Sequence, residues 1–372
     1  MPTAAGREWR VVDWIERWVA ARPPLELVRD SAGNMVVSRR GARDERPVFF
    51  TAHLDHPAFV VERIVAPTVV ELSFRGGVMD DYFIDAKVQL VTRDGARHAA
   101  VLTGATGQVE PFKHYTAELD AHADVMVGDV AVWDIGRAEL IDGLVHTQAC
   151  DDLAAAAAAL AAMDVLLADS AANASLLFTR AEEVGFIGAL AAVRNATIPS
   201  NARVIALENS RSFPESPIGG GPIVRVGDRI SIFTPRLTDA VAKRAEEVAG
   251  GASMPMASQK HSEMPSWKWQ RKLMAGGACE ASVFCHAGYE ATCVCLPLGN
   301  YHNMADLAAV QAGTNTTRPR VAREFIALSD FEGLVDLLVA CGQRLPEVVG
   351  MSERFEKLWR ERGFVLGTAG QQ

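Results

Sequence analysis

Four apolar runs, Val48-Phe49-Phe50-Thr51, Val145-His146-Thr147, Leu176-Leu177-Phe178-Thr179 and Val204-Ile205-Ala206-Leu207, are each followed at once or within a few residues by acidic or histidine side chains. Short apolar runs of this kind read as buried strands. The clusters that follow them are His53-Leu54-Asp55, Asp151-Asp152, Glu182-Glu183 and Glu208, with His302 as a fifth further along. A chain that repeats strand and then polar cluster is constrained to a sheet whose strand ends open onto one crevice, because open α/β sheets place their sites beyond the carboxyl ends of their strands.

Each cluster has a plainer explanation on its own. A His-x-Asp pair can be a histidine held in one tautomer by a carboxylate. Adjacent acids such as Glu182-Glu183 can complement a helix dipole, and Asp151-Asp152, placed before an alanine-rich run, can cap a helix. Capping and tautomer control do not, however, account for five clusters at successive strand ends. In this order they supply the nitrogen and oxygen donors of a two-metal hydrolase.

The rest of the chain divides by periodicity. From about Val60 to His146 it has short β-rich segments, such as Val69 to Phe74 and Ala86 to Val91, separated by turns. Arg93-Asp94-Gly95-Ala96 reads as a hairpin, and Val127-Gly128-Asp129-Val130 leads the chain back. After His146 strands alternate with helices over Leu153–Leu167, Phe186–Ala192 and Asp239–Val248. The fold class expected is α/β: a mixed, mainly parallel sheet covered by helices, with an inserted small β-barrel-like domain. Residues 1–62 and 146–345 are expected to form the discontinuous catalytic domain and 63–145 the insertion. Residues 346–372 add a helix over Glu347–Arg362, closed by Gly363, and a tail over Thr368–Gln372 expected to fray.

Composition narrows the setting. The 372 residues are 49% hydrophobic, enough for a large core, and their net charge of −9, without a basic run, argues against a nucleic-acid surface. Glu8 to Trp18 reads as an amphipathic helix, not a signal peptide, and the apolar stretch from Leu153 to Met163 is too short to span a bilayer. No membrane association is expected. Six cysteines without C-x-x-C spacing read as free thiols in a reducing cytoplasm. Cys293-Val294-Cys295 turns two of them to one face of a strand. A thiolate zinc site built from Cys279, Cys285, Cys293 and Cys295 lacks the usual spacing.

Thr51-Ala52-His53-Leu54-Asp55, Cys150-Asp151-Asp152, the stretch from Thr179 to Ala189 with Glu-Glu-Val-Gly-x-x-Gly-Ala at its centre, Gly219 to Pro222 and Leu296 to His302 resemble the signatures of the co-catalytic zinc aminopeptidases. More narrowly they are similar to the glutamyl, leucyl and deblocking aminopeptidases that build tetrahedral particles. The resemblance runs from about Trp14 to about Ala340. It implies that His53, Asp151 and Glu208 hold one divalent metal and Asp151, Glu183 and His302 the other, with Asp151 shared. Zinc is the metal implied, with cobalt or manganese as alternatives. Asp55 would orient His53 by accepting its other ring proton, and a cis peptide would join Asp151 to Asp152. Glu182 would be the general base, taking a proton from a water activated by the metals and passing it to the leaving amine. Peptides would be the substrates, and a homo-oligomer the working form.

Three departures from the family pattern bear on the substrate, one of them Glu208, which stands where Asp or Glu appears depending on the branch. His56 follows Asp55 where an acid is usual, and it is expected at the surface or the pocket rim. Gly276-Gly277-Ala278-Cys279-Glu280-Ala281 replaces a Gly-Gly-Thr-Asp-Ala segment, and Asn303 follows His302 where a small residue is usual. Two other readings stay open: a metal-dependent deacylase or carboxypeptidase-like amidohydrolase with the same metal pair, and a non-catalytic binding protein on the same fold.

Overall fold

A computed structural model describes residues 1–41, 46–109, 111–249, 268–346 and 351–367. Helix α1 (Trp9–Ala20) buries Val11, Val12, Ile15 and Val19 at helical spacing, the amphipathic face read from the sequence. Strands β1 (Leu25–Arg29), β2 (Met35–Arg39) and β3 (Val48–His53) follow. The chain then enters a closed barrel of β4 (Ala58–Ala66), β5 (Val69–Arg75), β6 (Lys87–Val91), β7 (Arg97–Val109), β8 (Phe112–Leu119) and β9 (Val130–Trp133), joined in the order β4-β5-β8-β7-β6-β9. The expected hairpin at Asp94-Gly95 joins β6 to β7, with Thr92 N–H donating to the Ala96 carbonyl at 3.0 Å. Closure leaves the barrel without free strand edges, and Phe59, Phe74, Phe83, Tyr115 and Trp133 pack together inside it.

After the barrel come β10 (Glu139–Ile141) and β11 (Leu144–Thr147), then α2 (Leu153–Leu166), β12 (Ala174–Thr179), α3 (Ile187–Arg194), β13 (Arg203–Arg211), β14 (Ile223–Gly227) and α4 (Pro235–Ala249). The described chain continues with β15 (Gln270–Leu273), α5 (Glu280–His286), β16 (Glu290–Leu298), α6 (Leu307–Ala312), β17 (Glu324–Ala327), α7 (Leu328–Gln343) and α8 (Met351–Arg362). Eight strands form the main sheet in the order β1-β2-β12-β3-β13-β16-β14-β15. Its centre, β12-β3-β13-β16, is parallel throughout; antiparallel pairs flank it, and a last parallel pair, β14-β15, closes one edge. The sheet is therefore mixed and mainly parallel, as expected.

Alternation along the strands splits the core into two layers. Phe50, Leu176, Phe178 and Ile205 face α2, α4 and α7, whereas Phe49, Leu177 and Val204 face α3 and α5. Helix α2 is apolar apart from Asp164 and mostly buried, with Asp164 and Val165 exposed near its end, and its alanines let it lie close to the sheet. No helix among the described residues is long and apolar enough to cross a membrane.

One local expectation changes. Val145-His146-Thr147 is a strand, but it pairs with β10 and β17 in a separate three-stranded sheet and is only half-buried. Three residues cannot distinguish a core strand from a cover strand by pattern. At the other end the described part of α8 runs from Met351 to Arg362, and a 3-10 turn over Gly363–Leu366 follows it. Residues 347–350 and the tail from Thr368 to Gln372 lie outside the described residues.

Candidate metal centre

Parallel register brings the clusters to one level. Thr179, the last residue of β12, pairs with His53, the last of β3, so Glu182 and Glu183 follow just beyond the strand that neighbours His53. On the other side of β3, Ala206 pairs with Thr51, and two residues further on stand Glu208 and His53. Asp151 reaches the same place from the turn before α2, and His302 from the loop after β16. His53, Asp151, Glu182, Glu208 and His302 are all buried.

The two oxygens of Asp151 face two different histidines. Oδ1 lies 3.3 Å from His53 Nε2 and Oδ2 lies 3.5 Å from His302 Nε2. Glu208 Oε1 is 3.8 Å from His53 Nε2, and Glu183 Oε2 is 3.4 Å from His302 Nε2. Donor atoms on one tetrahedral zinc stand about 3.4 Å apart, so both groups are spaced to hold a common cation. Asp151 Oδ1 and Glu183 Oε1 are buried without a hydrogen-bond partner, as ligand atoms are when only the protein around them is counted. Among the described residues, the groups able to hold a metal contain only histidine and carboxylate donors. No thiolate site forms there from the cysteines.

Charge points the same way. Burial, and then repulsion from neighbouring carboxylates, raises Glu182 and Glu183 well above the ordinary range. Burial likewise lifts Glu208 to about 7. Asp151 moves oppositely: burial works against its charge, but its hydrogen bonds to His302 and His53 hold it well below the usual carboxylate range. So many acids in a dry site are mutually unfavourable, and divalent cations among them would reverse that.

The supporting groups are mostly backbone clamps. Asp55 Oδ1 accepts the Glu182 N–H at 2.9 Å and Oδ2 the Glu183 N–H at 3.0 Å, while its approach to His53 Nδ1 is 3.5 Å, long for a hydrogen bond. It therefore anchors the Glu-Glu pair at least as directly as it orients His53. Asp152 does not cap α2; it accepts from the His53 N–H at 3.3 Å and from Asn209 Nδ2 at 2.8 Å. Asp151 and Asp152 are joined by the cis peptide implied by the resemblance. Ala181, His302 and Asn303 all have positive φ, of 52°, 53° and 64°, which concentrates strained backbone around the site.

His56 is not at the rim. It is buried, with Nδ1 2.6 Å from the Asp151 carbonyl and Nε2 3.0 Å from Asn303 Oδ1. The sequence could not place it, because its partner lies 247 residues away. Three further residues had no motif to announce them. Glu324 on β17 accepts the N–H groups of Cys150, Asp151 and His302 at 2.7, 3.0 and 2.9 Å, tying a bridging candidate to a histidine ligand candidate. Glu8 accepts from the Arg180 guanidinium at 2.7 Å and from the Ala181 N–H at 3.0 Å, bracing the loop that carries Glu182. Glu280, from the departing segment, is buried with neither oxygen hydrogen-bonded, although the Thr51 and Thr179 hydroxyls lie beside it; burial lifts it to about 7. Burial also pushes the Cys150 thiol well up, which leaves it an inert neighbour of Asp151.

The centre opens into a cavity of about 390 Å³, bounded by Val78 and Met79 from the barrel and by Arg211, Phe213, Arg225 and Met274 from the main sheet side. Arg225 is the largest fully buried side chain among the described residues. Its Nη1 donates to Ser210 Oγ at 3.1 Å, its Nε has no partner, and no carboxylate pairs with it within 4 Å among the described residues. Cys279, Cys293 and Cys295 lie near enough for their sulfurs to act on its charge.

The model of the M42 glutamyl aminopeptidase family matches residues 33–318. Among solved structures, the TET1 peptidase of Pyrococcus horikoshii, described as assembling into a tetrahedron or a large octahedral shell, superposes with a TM-score of 0.71 at 20% identity over 93% of this chain and 97% of that one. An aminopeptidase from Desulfurococcus kamchatkensis gives 0.69 at 20% identity over 92% of each chain. The TET aminopeptidase of a marine sediment thaumarchaeote gives 0.68 at 18% over 92% of this chain and 93% of that one. No curated protein matches the chain. At these identities the structures speak for the fold, while the family match spans well over half of the sequence and coincides with the buried histidine and carboxylate cluster. This protein belongs to the M42 glutamyl aminopeptidase family and is a metallopeptidase of the aminopeptidase type.

Proposed function

We propose that the protein removes N-terminal residues from peptides with a pair of divalent metals, zinc by preference of its nitrogen and oxygen donors. The observation that carries this reading is Asp151, whose two oxygens face His53 and His302 separately. His53, Asp151 and Glu208 would hold one ion and Asp151, Glu183 and His302 the other. When bound, such a pair polarises the scissile carbonyl and acidifies a water to near neutrality.

The chain's own residues do the rest. Glu182 accepts the water proton and returns it to the departing amine. It is buried at the cavity and lies 3.9 Å from His53 Nε2, the longest approach to that nitrogen among the neighbouring carboxylates. Asp55 fixes the Glu182 and Glu183 backbone so that base and ligand keep their separation. Arg211 and Arg225 at the cavity wall suit an acidic N-terminal residue, in keeping with the glutamyl name of the matched family, and Phe213 and Met274 suit its methylenes.

The reading extends to organisation: a catalytic unit of 1–62 and 146–345, an inserted unit of 63–145, a C-terminal segment of 346–372, and a cytoplasmic homo-oligomer. The test is metal content per chain together with hydrolysis of free and N-blocked peptides. Two ions and cleavage of free N-termini alone support it. Release of acyl groups would replace it with a deacylase, and no turnover by the metal-loaded protein with a binding module.

A further inference from the structure

Five of the six residues at the centre belong to the main sheet, its strand ends or the turn into α2. His302 differs. The chain that carries it turns away from the sheet and packs on the barrel: Met304 and Leu307 are buried in the same cluster as Phe74, Tyr82 and Phe83. Tyr82 donates its hydroxyl proton to the Ala305 carbonyl at 2.7 Å, which closes the contact from the barrel side.

The ring itself is set by the barrel. His302 Nδ1 lies 2.6 Å from the carbonyl oxygen of Gly77, in the segment between β5 and β6. A carbonyl only accepts, so Nδ1 carries the proton and Nε2 presents its lone pair to the space shared with Asp151 Oδ2 and Glu183 Oε2. Glu324 holds the His302 backbone, but Gly77 fixes the tautomer and the direction of the ring. The Gly77 carbonyl is in turn held by Gly76, whose φ is +143°; a Cβ there would stand 2.6 Å from Pro57 Cβ and 2.8 Å from its Cα. No side chain fits at Gly76 without moving this peptide.

We propose that the barrel is a structural part of one metal site and not of the other: Gly77 is a positioning residue for His302, and the site of Asp151, Glu183 and His302 depends on how the barrel is seated. The site of His53, Asp151 and Glu208 is built without it. The two ions are then unequal, and any displacement of the barrel, by assembly or by a substrate lying against Val78 and Met79, acts on one of them selectively. The inference rests on the two-metal reading above.

The test uses the full chain in zinc buffers, with metal per chain measured at equilibrium for wild type, Gly76→Ala and Tyr82→Phe. Gly76→Ala should weaken one site about 10- to 100-fold, the usual effect of disturbing a group that orients a ligand, and leave the other within about two-fold of wild type. Tyr82→Phe, which removes one hydroxyl at the same contact, should weaken the same site about five-fold and remains readable if Gly76→Ala does not fold. In either background His302→Ala should remove little further metal at intermediate zinc, whereas Glu208→Gln should remove the remaining ion. Two sites that weaken in parallel, or two that stay unchanged in both variants, would overturn the proposal. A wild type that binds fewer than two ions would instead overturn the two-metal reading, and this inference with it.

Discussion

His56 Nε2 lies 3.0 Å from Asn303 Oδ1, which joins the residue after Asp55 to the residue after His302. They are two halves of one buried contact. His56 reaches the Asp151 carbonyl with its other nitrogen, and Asn303 donates Nδ2 to the Gln148 carbonyl at 2.8 Å. A bridge of side chains therefore spans the backbone on both sides of the proposed shared carboxylate. Burial pushes His56 down to about 4, yet both atoms that face its ring are oxygens.

Replacing either member alone leaves a buried polar group without its partner. His56→Leu and Asn303→Leu should each cost about 1–3 kcal/mol of stability. The double variant should cost less than the sum of the two. Chemical denaturation of the four proteins measures the coupling, and additive effects would mean that the contact carries no energy of its own.

Asp30 gives the pH dependence. Burial alone would raise its pKa, but donors from Thr197, Asn34 and Ala32 outweigh burial and hold the carboxyl below its ordinary value. A depressed folded pKa contributes stability that is fully present above the unfolded value near 3.9 and is lost as the pH falls through the folded value. Asp30→Asn should therefore lower stability at pH 7 by about 1 kcal/mol, a figure reduced for the partial exposure of the group. The gap to wild type should narrow below about pH 4. Urea unfolding at pH 7 and pH 3 decides it: a gap that is constant across that range means the carboxylate charge is not what stabilises the turn.

Legibility in the sequence followed range. The strand ends at His53 and before Glu182, helix α1 and the hairpin at Asp94-Gly95 are written in local patterns, and the structure places them accordingly, whereas Glu208 lies inside β13, which runs on to Arg211. Groups that act by holding backbone have no such signature. Glu324 sits in a four-residue strand, and its acceptors' role depends on N–H groups more than 170 residues away. The Gly77 carbonyl belongs to no side chain at all, and His56 meets Asn303 across 247 residues of sequence. His56 and Asn303 were each visible in the sequence; that the two meet was not.

Arg225 should decide between N-terminal residues. Arg225→Met keeps the volume of a long side chain and removes the charge beside Ser210. Hydrolysis of glutamyl peptides should fall about 10- to 100-fold in kcat/KM relative to leucyl peptides, because a desolvated ionic hydrogen bond is lost for one substrate only. An equal fall for both would assign Arg225 to packing of the thiol-lined core instead.

Glu182 and Glu183 adjoin in sequence and differ in placement, and their separation is open to a direct measurement. Glu183 Oε2 stands 3.4 Å from His302 Nε2 and Glu182 Oε2 stands 3.9 Å from His53 Nε2; both line the cavity, and both belong to groups able to hold a cation, Glu183 with Asp151 and His302 as well as with His53 and Glu182. Glu182→Gln keeps size and hydrogen bonding while removing the proton acceptor, so metal per chain should stay at the wild-type level and peptide hydrolysis should fall about 10²- to 10⁴-fold. Glu183→Gln and His302→Ala each take away a donor, so both should lose metal from one site under the same zinc supply, with activity lost in proportion to occupancy. Restoring metal with excess zinc should then recover part of the activity of the donor variants and none of that of Glu182→Gln. If Glu182→Gln sheds metal as readily as the other two, the carboxylate is a ligand and the proton must be taken by another group; if it stays fully active, no base is needed at that position.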